Sequence, residues 1–382
     1  MVESFDKIRQ LLHEDPTHLA QLITDNNSDL SVNEVLHAMR LLCESEFHTP
    51  TYLKQLRSHP NLLISDCASA YLELEGMTDI GKPYTREIPF IKKISSNSEL
   101  FKSRFELFPR GALSIRSHSY VKECWQRRSS FAPFIKLLKV ASARSTERCV
   151  FFYTCSYQYL LGLHDLLYLN ASHFMQDGLI HLHIIGSEIP DNLLSQFQLL
   201  SLPNISITYS DINPEWADRA AYYHAYRYLL LPLLLEFYRL PIMLLGSDTA
   251  FAQPAYLLVS DNPNSIGLYF WNPRRRVPWK HIFADVVYFP YTQKGCTFAH
   301  AISNYLSRDD WDSGRLLYFD QVAVAFIFNY LSTSLHDAEV NDILPKLKSG
   351  ICNTNGGGSL QEKLDNGLTW INLKMHKHSR EA

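Results

Sequence analysis

The sequence predicts an α/β protein, a Rossmann-like mixed sheet with helices on both faces, preceded by an all-α N-terminal domain. Two patterns indicate this. Apolar residues recur at helical spacing through residues 1–78. From residue 149 onward, short apolar stretches alternate with longer helical ones, which is typical of a parallel sheet covered by helices. We therefore place a helical domain at 1–78, a connector with short elements at 79–128 and the α/β domain at 129–382.

The composition excludes several classes of protein. A net charge of −3 argues against a general nucleic-acid binder. Seven cysteines without a CxxC pair are typical of a reducing compartment. The first residues lack the pattern of a signal peptide, and the longest apolar run, Tyr228 to Leu235, is too short to cross a membrane. We expect a cytoplasmic protein of 382 residues without a transmembrane segment.

The N-terminal part reads as paired helices. Pro16 begins a second helix, and Ser31 provides a cap before the next apolar run. These helices form a bundle or cap, or a partner-binding array of helical repeats, although no fixed period is present. The connector is rich in glycine, proline and basic residues, which form a solvated face or contact an acidic acceptor.

The α/β part is expected to contain four neighbouring parallel strands joined by right-handed crossovers. His181 and His183 share one face of the second strand, either as ordinary half-buried residues or as metal ligands. The predicted strands are 149–156, 179–186, 205–209, 242–245, 257–260, 265–271, 283–289 and 368–378. The predicted helices are 131–143, 159–169, 188–200, 220–238, 298–306 and one that starts at Asp320.

The strand at 242–245 organises the predicted site. It is continuously apolar, as expected of a strand buried on both faces, and it stops at Gly246. Asp248 follows at the carboxyl end, where open α/β sheets bind their ligands. The preceding helix carries Tyr223 and Arg227 on one face. The sequence therefore predicts an acidic and a basic side chain beside one ligand.

These residues resemble a known family, the GT-A glycosyltransferases, and in particular the family-8-like enzymes. The resemblance lies in a Tyr-Arg pair, a proline, an apolar strand and an Asp-Thr-x-Phe turn. One departure is that Gly246 replaces the first acid of the Asp-x-Asp motif, so only Asp248 remains. The matching residues are Tyr226, Arg227, Pro232, Leu244, Leu245, Gly246, Asp248, Thr249, Phe251 and Pro254.

The resemblance implies a GT-A-like fold and an enzyme that moves a sugar from a UDP- or GDP-sugar to a glycan or protein acceptor. It also implies Mn²⁺ or Mg²⁺, which prefer oxygen ligands, bound by Asp248. Asp248, Asp320 and Gln321 are the expected catalytic residues, and His376 is a second expected metal ligand. The expected donor-binding residues are Thr154, Cys155, Ser156, Tyr157, Arg227, Ser247, Ala284, Asp285 and Lys377.

A cationic segment at 272–281 adds a further expectation. In one interpretation, its three arginines bind a diphosphate, whose geometry they match, and Trp279 stacks on a sugar. In the other, the segment is a solvated loop with the tryptophan packed inward. Two other functions remain open. The first is that of a GT-A-like protein that binds sugar or nucleotide without catalysis. The second is that of an interaction protein whose helical N-terminal domain contacts a partner.

Overall fold

The computed structural model divides the chain into two compact units. The first contains Met1–Glu123, Trp271–Ile282 and Ser313–Leu335, and the second contains Cys124–Phe270, Phe283–Asp312 and His336–Ala382. The structure describes residues 2–25, 28–75, 88–97, 99–102, 107–128, 135–141, 147–186, 192–211, 220–270, 277–307, 319–332, 340–354 and 358–381.

Helices make up the described part of the chain up to residue 126. Proline occupies the first turn of α2, α4 and α6, where its missing N–H costs no hydrogen bond. Ser31 and Glu34 form a capping box at the start of α3. The helices are α1 (Val2–Glu14), α2 (Pro16–Thr24), α3 (Val32–Glu44), α4 (Pro50–Leu56), α5 (Leu62–Glu75), α6 (Pro89–Ser95), α7 (Glu99–Lys102) and α8 (His118–Gln126).

The described strands form one mixed sheet of eight strands and one small antiparallel pair. They are β1 (Lys136–Lys139), β2 (Val150–Ser156), β3 (Leu179–Ile185), β4 (Ile205–Ser210), β5 (Ile242–Leu245), β6 (Thr249–Phe251), β7 (Ile266–Phe270), β8 (Ile282–Phe289), β9 (Val340–Asp342) and β10 (Cys352–Thr354). The large sheet has the order β1-β4-β3-β2-β5-β8-β7-β9, and β10 pairs with β6. Strands β4, β3, β2 and β5 are parallel, whereas β8 runs antiparallel to β5.

The remaining helices follow between and after these strands. They are α9 (Tyr157–His173), α10 (Leu193–Gln196), α11 (Ala220–Tyr238), α12 (Gln293–Leu306), α13 (Phe319–Ser332), α14 (Leu344–Lys348) and α15 (Leu360–Glu381). Helix α11 packs against α12, and α15 packs against α9. Among the helices that the structure describes, none has both the length and the apolar composition of a membrane-spanning segment.

Helices cover both faces of the sheet in the second unit. Phe151 and Tyr153 of β2 belong to a core that also contains Leu160 of α9. On the opposite face, His183 of β3 stacks on Tyr226 of α11, with 5.3 Å between ring centroids. Since successive side chains of a strand point to opposite faces, these contacts place α9 and α11 on the two sides. The predicted mixed sheet with two helical layers is therefore present.

Trp279 lies in the core of the first unit. Its side chain is fully buried, and its Nε1–H donates to Glu44 Oε1 at 3.2 Å. Gly111 touches the indole so closely that an added Cβ would lie 2.6 Å from a ring carbon. The inward-packed alternative for this tryptophan is thus the one observed. Residues 272–276, which contain the three arginines, lie outside the described part of the chain.

Two segments that the sequence analysis placed in the α/β domain group with the N-terminal helices instead. They are Trp271–Ile282 and Ser313–Leu335, of which the latter includes α13. Helix α13 packs against the short 3₁₀ turns at Pro278–Lys280 and Arg110–Ser114. Local sequence carries no signal for such long-range packing, since apolar spacing shows that a face is buried but not against what.

Three predicted elements were wrong. Residues 136–139 form the edge strand β1 rather than a helix, because pairing with β4 overrides a weak local preference. Residues 257–258 lie in a 3₁₀ turn, Ala255–Leu258, rather than a strand. The C-terminal stretch 368–378 belongs to α15, which starts at a capping box formed by Ser359 and Glu362. Of the predicted helix 188–200, the described part contains α10 and a 3₁₀ turn, Gln198–Ser201.

Candidate functional site

The ends of two strands and the middle of a third meet at one edge of the sheet. Tyr153 of β2 is level with Leu245 of β5, so the residues that follow them, Thr154 and Gly246, lie side by side. Strand β8 enters the sheet beside them, and the Gly246 N–H donates to the Asp285 carbonyl oxygen at 2.7 Å. The carboxyl ends of β2 and β5 and the early part of β8 therefore surround one point.

The chain turns sharply after β5. The Thr249 N–H donates to the Gly246 carbonyl oxygen at 3.0 Å, and this closes the turn before β6. The turn directs the Asp248 side chain inward, where it is only 12% exposed. Ser247, between them, is half-buried.

Two largely buried ion pairs occupy this edge. Lys363 Nζ lies 2.6 Å from Asp248 Oδ2, and both side chains are less than one-seventh exposed, at 13% and 12%. Arg227 Nη2 donates to Asp285 Oδ1 at 3.0 Å, and Arg227 Nε donates to the His224 carbonyl oxygen. We call Arg227, Asp248, Asp285 and Lys363 the four-charge cluster. Breaking a pair of this kind leaves a buried charge uncompensated, which makes each partner dependent on the other.

The two ion pairs are neighbours through Gly246. A Cβ added to this glycine would lie 3.1 Å from Asp248 Oδ1 and 3.3 Å from both Cβ and Cγ of Asp285. The carboxyl group of Asp285 thus lies against the place where the side chain of a first acid would begin. The structure brings two acids together here, although one comes from β8 rather than from the turn.

Lys363 is a residue that the sequence analysis missed. It lies in the first turns of α15, and Leu360, three residues earlier, packs against Gly162 of α9. Burial lowers the pKa of Lys363, but the hydrogen bond and charge of Asp248 outweigh it, so the net pKa is raised. The ammonium is therefore charged at neutral pH. The Ser359–Glu362 capping box was a signal for this helix, although not for the ion pair.

The expected donor-binding residues at the end of β2 are engaged in local contacts. Ser156 Oγ caps α9 by accepting from the Tyr159 N–H at 3.2 Å, and the Tyr157 hydroxyl donates to Gln196 Oε1 at 2.9 Å. Cys155 faces the apolar core, where burial raises its thiol pKa to about 12, whereas Thr154 is half-buried. The donor-binding roles of these residues remain predictions.

Other expected site residues are found elsewhere in the fold. Ala284 is fully buried, and its carbonyl oxygen accepts from the Tyr228 hydroxyl at 2.7 Å. Asp320 is buried on the first turn of α13, in the first unit, and its Oδ1 accepts from the Gln321 N–H at 2.9 Å. The side chains of His376 and Lys377 lie outside the described residues. Their expected roles stay predictions.

The histidines of β3 are buried and bonded within the fold. His181 Nδ1 lies 2.7 Å from the Tyr238 hydroxyl, and its Nε2 lies 2.8 Å from Thr208 Oγ1. His183 Nδ1 lies 2.7 Å from the same threonine oxygen. Burial lowers the pKa of His181 to about 3, so its ring is neutral near pH 7. These contacts favour the interpretation of ordinary strand histidines.

The expected metal ion does not fit the described residues as a ready-made site. Carboxylate oxygens are suitable ligands for Mn²⁺ or Mg²⁺, and Asp248 and Asp285 provide two such groups. Each carboxylate, however, is already paired with a cationic side chain. Within the described part of the chain, no group of three or more His, Cys, Asp or Glu side chains could hold an ion. We therefore derive no chemical step through a metal.

Comparisons with known proteins add little to this geometry. No protein-family model and no curated protein matches the chain. Among solved structures, the chain is similar to the apo structure of WbbM, a bifunctional glycosyltransferase, with 12% identity and a TM-score of 0.39. The similarity covers 62% of this chain and 53% of that one, so it extends over about half the length of WbbM. A likeness at this level carries no argument about function.

Proposed function

We propose that the chain is a glycosyltransferase that takes a nucleoside-diphosphate sugar, with uridine or guanosine as the nucleoside, and transfers the sugar to a glycan or protein acceptor. The supporting observation is that Asp248, the acid of the family-like motif, lies at the carboxyl edge of the sheet within a cluster that also holds Arg227 and Lys363. Ligands of open α/β sheets bind at this edge.

The chemistry of glycosyl transfer suits this arrangement. When the glycosidic bond breaks, negative charge develops on the departing diphosphate, and positioned cations stabilise it. Arg227 and Lys363 are cations of this kind, and Asp285 and Asp248 hold them in place. Carboxylate oxygens at the same edge also accept hydrogen bonds from sugar hydroxyls.

Asp248→Asn tests this function directly. Asparagine keeps an oxygen that accepts from Lys363 but removes the negative charge, so we expect the protein to fold with a lower melting temperature. Hydrolysis or transfer of the nucleotide sugar should fall by about a hundredfold or more. The measurement is release of nucleoside diphosphate, with donors first selected by their effect on the melting temperature.

Asp261→Asn is a matched control for this variant. Asp261 also pairs with a lysine, Lys346 at 2.9 Å, in the same unit, but its side chain is 69% exposed. Its loss should leave turnover unchanged, because exposed pairs contribute little. Unchanged turnover in Asp248→Asn would show that this carboxylate has no part in the reaction.

A second function is supported by one feature of the same cluster. Gly246 stands where the family motif has its first acid, and the Asp248 carboxylate is paired with Lys363. This arrangement also suits a GT-A-like protein that binds a nucleotide sugar without breaking it. Stabilisation by the nucleotide sugar, without any release of nucleoside diphosphate over hours, would identify that alternative.

A further inference from the structure

Lys363 places a positive charge directly against the Asp248 carboxylate. Its ammonium lies 2.6 Å from Asp248 Oδ2, and it lies over the Tyr159 ring at 5.7 Å from the ring centroid. The carboxylate, the ring and the ammonium all belong to the second unit. The hydrogen bond and the aromatic face each stabilise a positive charge at this point.

The backbone holds this lysine in place. The Ser359 N–H donates to Glu362 Oε2 at 2.6 Å, and the Glu362 N–H donates to Ser359 Oγ at 3.3 Å, which fixes the start of α15. Leu360 then contacts α9, and Ile371 of the same helix is fully buried in the core of the second unit. The position of the ammonium therefore follows from packed secondary structure and not only from the ion pair.

The charges of the cluster also balance. Arg227 and Lys363 together carry the same positive charge as one divalent ion, and they lie against Asp285 and Asp248. Two carboxylates that would need a metal ion in isolation are already neutralised by side chains. A divalent ion that approached Asp248 would have to displace a largely buried ammonium, which raises the cost of metal binding.

We propose that Lys363 replaces the divalent metal ion in this protein, so that the nucleoside diphosphate binds without one. This inference rests on the proposed function. The diphosphate replaces the Asp248 carboxylate as the partner of the Lys363 ammonium, and no covalent bond changes in this step. Since binding depends on an ionic contact between the diphosphate and Lys363, it should weaken as the salt concentration rises.

The test compares the wild-type protein with Lys363→Met, which keeps an unbranched side chain as far as Cε and removes the ammonium. Uridine diphosphate and guanosine diphosphate are titrated in EDTA and in MnCl₂, and binding is followed by melting temperature and calorimetry. Wild-type protein should bind its nucleotide equally well in both. In EDTA, Lys363→Met should bind about tenfold to a hundredfold more weakly, as expected for one lost charge-assisted contact.

Manganese should restore nucleotide binding to Lys363→Met, because the Asp248 carboxylate then no longer pairs with an ammonium and can bind the ion. Lys374→Met, on the same helix but with its ammonium 5.9 Å from the Trp370 ring, is the matched control and should behave as wild type. Loss of binding in EDTA for Lys363→Met but not for Lys374→Met supports the proposal.

Each other outcome contradicts a specific claim. If wild-type protein binds nucleotide only with Mn²⁺, the metal-free inference is wrong and the proposed function stands. If neither diphosphate binds in either buffer, the proposed function itself is wrong. If Lys363→Met binds as wild type does in EDTA, another group provides the charge. Should Lys363→Met fail to fold, the comparison of EDTA with MnCl₂ on wild-type protein still decides whether a metal is needed.

Discussion

A side chain at Gly246 would contact two acids at once, since an added Cβ lies 3.1 Å from Asp248 Oδ1 and 3.3 Å from the carboxyl carbon of Asp285. Those distances leave room for a substitution only if the neighbours move by a few tenths of an ångström. The glycine therefore permits the approach of Asp285 from the adjacent strand. Because residue 246 has no side chain, the second acid of the site can come from β8.

Gly246→Asp should destabilise the protein by about 1–3 kcal/mol in EDTA, because it crowds a packed site and adds a third carboxylate. Adding Mn²⁺ should raise the melting temperature of this variant, since three acids then surround one point. The measurement is thermal unfolding with and without Mn²⁺. Gly246→Ala adds the crowding without the charge. A Gly246→Asp protein that matches Gly246→Ala under both conditions would contradict this expectation.

The sequence placed three members of the four-charge cluster among the site candidates, and it did so through the order of the motif. Asp248 follows a buried strand, Arg227 lies on the preceding helix, and Asp285 lies in a later strand. Lys363 could not be found in this way. It is one of 36 lysines and arginines, and it lies 115 residues after its partner, so only the folded structure identifies it.

Strand β3 shows how one element can make stability depend on pH. His181 and His183 are fully buried, and burial lowers the pKa of both rings, that of His181 to about 3. In the unfolded chain, histidine takes up a proton near its ordinary value, about 6.5. Because the unfolded state binds more protons in the window between these values, stability falls as the pH drops through it.

Lowering the pH from about 7 to about 5 should therefore cost about 2 kcal/mol per buried histidine. Urea unfolding at the two pH values measures the loss. His181→Gln keeps a side chain that can bond to Tyr238 and Thr208 but does not titrate, so its loss on acidification should be smaller by one histidine's contribution. An identical loss in wild type and variant would assign the pH effect to other groups.

The elements themselves were predicted unevenly, for physical reasons. The parallel strands β2 to β5 are mostly buried and rich in β-branched, aliphatic and aromatic residues, and the sequence located all four. β1 is an edge strand with two half-exposed apolar residues, Leu137 and Val140 alongside it, so its pattern resembles an amphipathic helix. For α15, the aromatic and aliphatic residues near 370 suggested a strand. The capping box and the spacing of Leu364, Leu368 and Ile371 indicate a helix.

At the scale of the whole molecule, the first compact unit is discontinuous. It combines the N-terminal helices with Trp271–Ile282 and Ser313–Leu335, and Trp279 lies in its interior. The sequence indicated a helical part and an α/β part but not this exchange of segments, because no local pattern shows which distant surface a tryptophan fills. A boundary drawn in the linear sequence therefore does not separate the two units.

A fragment that contains only residues 124–382 should not form a stable monomer. It keeps Trp279 and α13 but loses Glu44 and Gly111, against which the tryptophan packs. Exposed apolar surface of this kind promotes aggregation. Size-exclusion chromatography and thermal unfolding of the fragment provide the measurement. A monomeric fragment with cooperative unfolding would contradict the expectation.

In the intact chain, Trp279→Ala should lower the free energy of unfolding by about 3–5 kcal/mol.

The separation of 115 residues between Asp248 and Lys363 also has a consequence for biosynthesis. While the ribosome translates this interval, the carboxylate has already been made but its ammonium partner has not. The nascent chain therefore cannot close that ion pair, and the sheet edge stays unfinished until the later helix has emerged from the exit tunnel. Completion of the four-charge cluster is thus a late event in the life of each newly synthesised molecule.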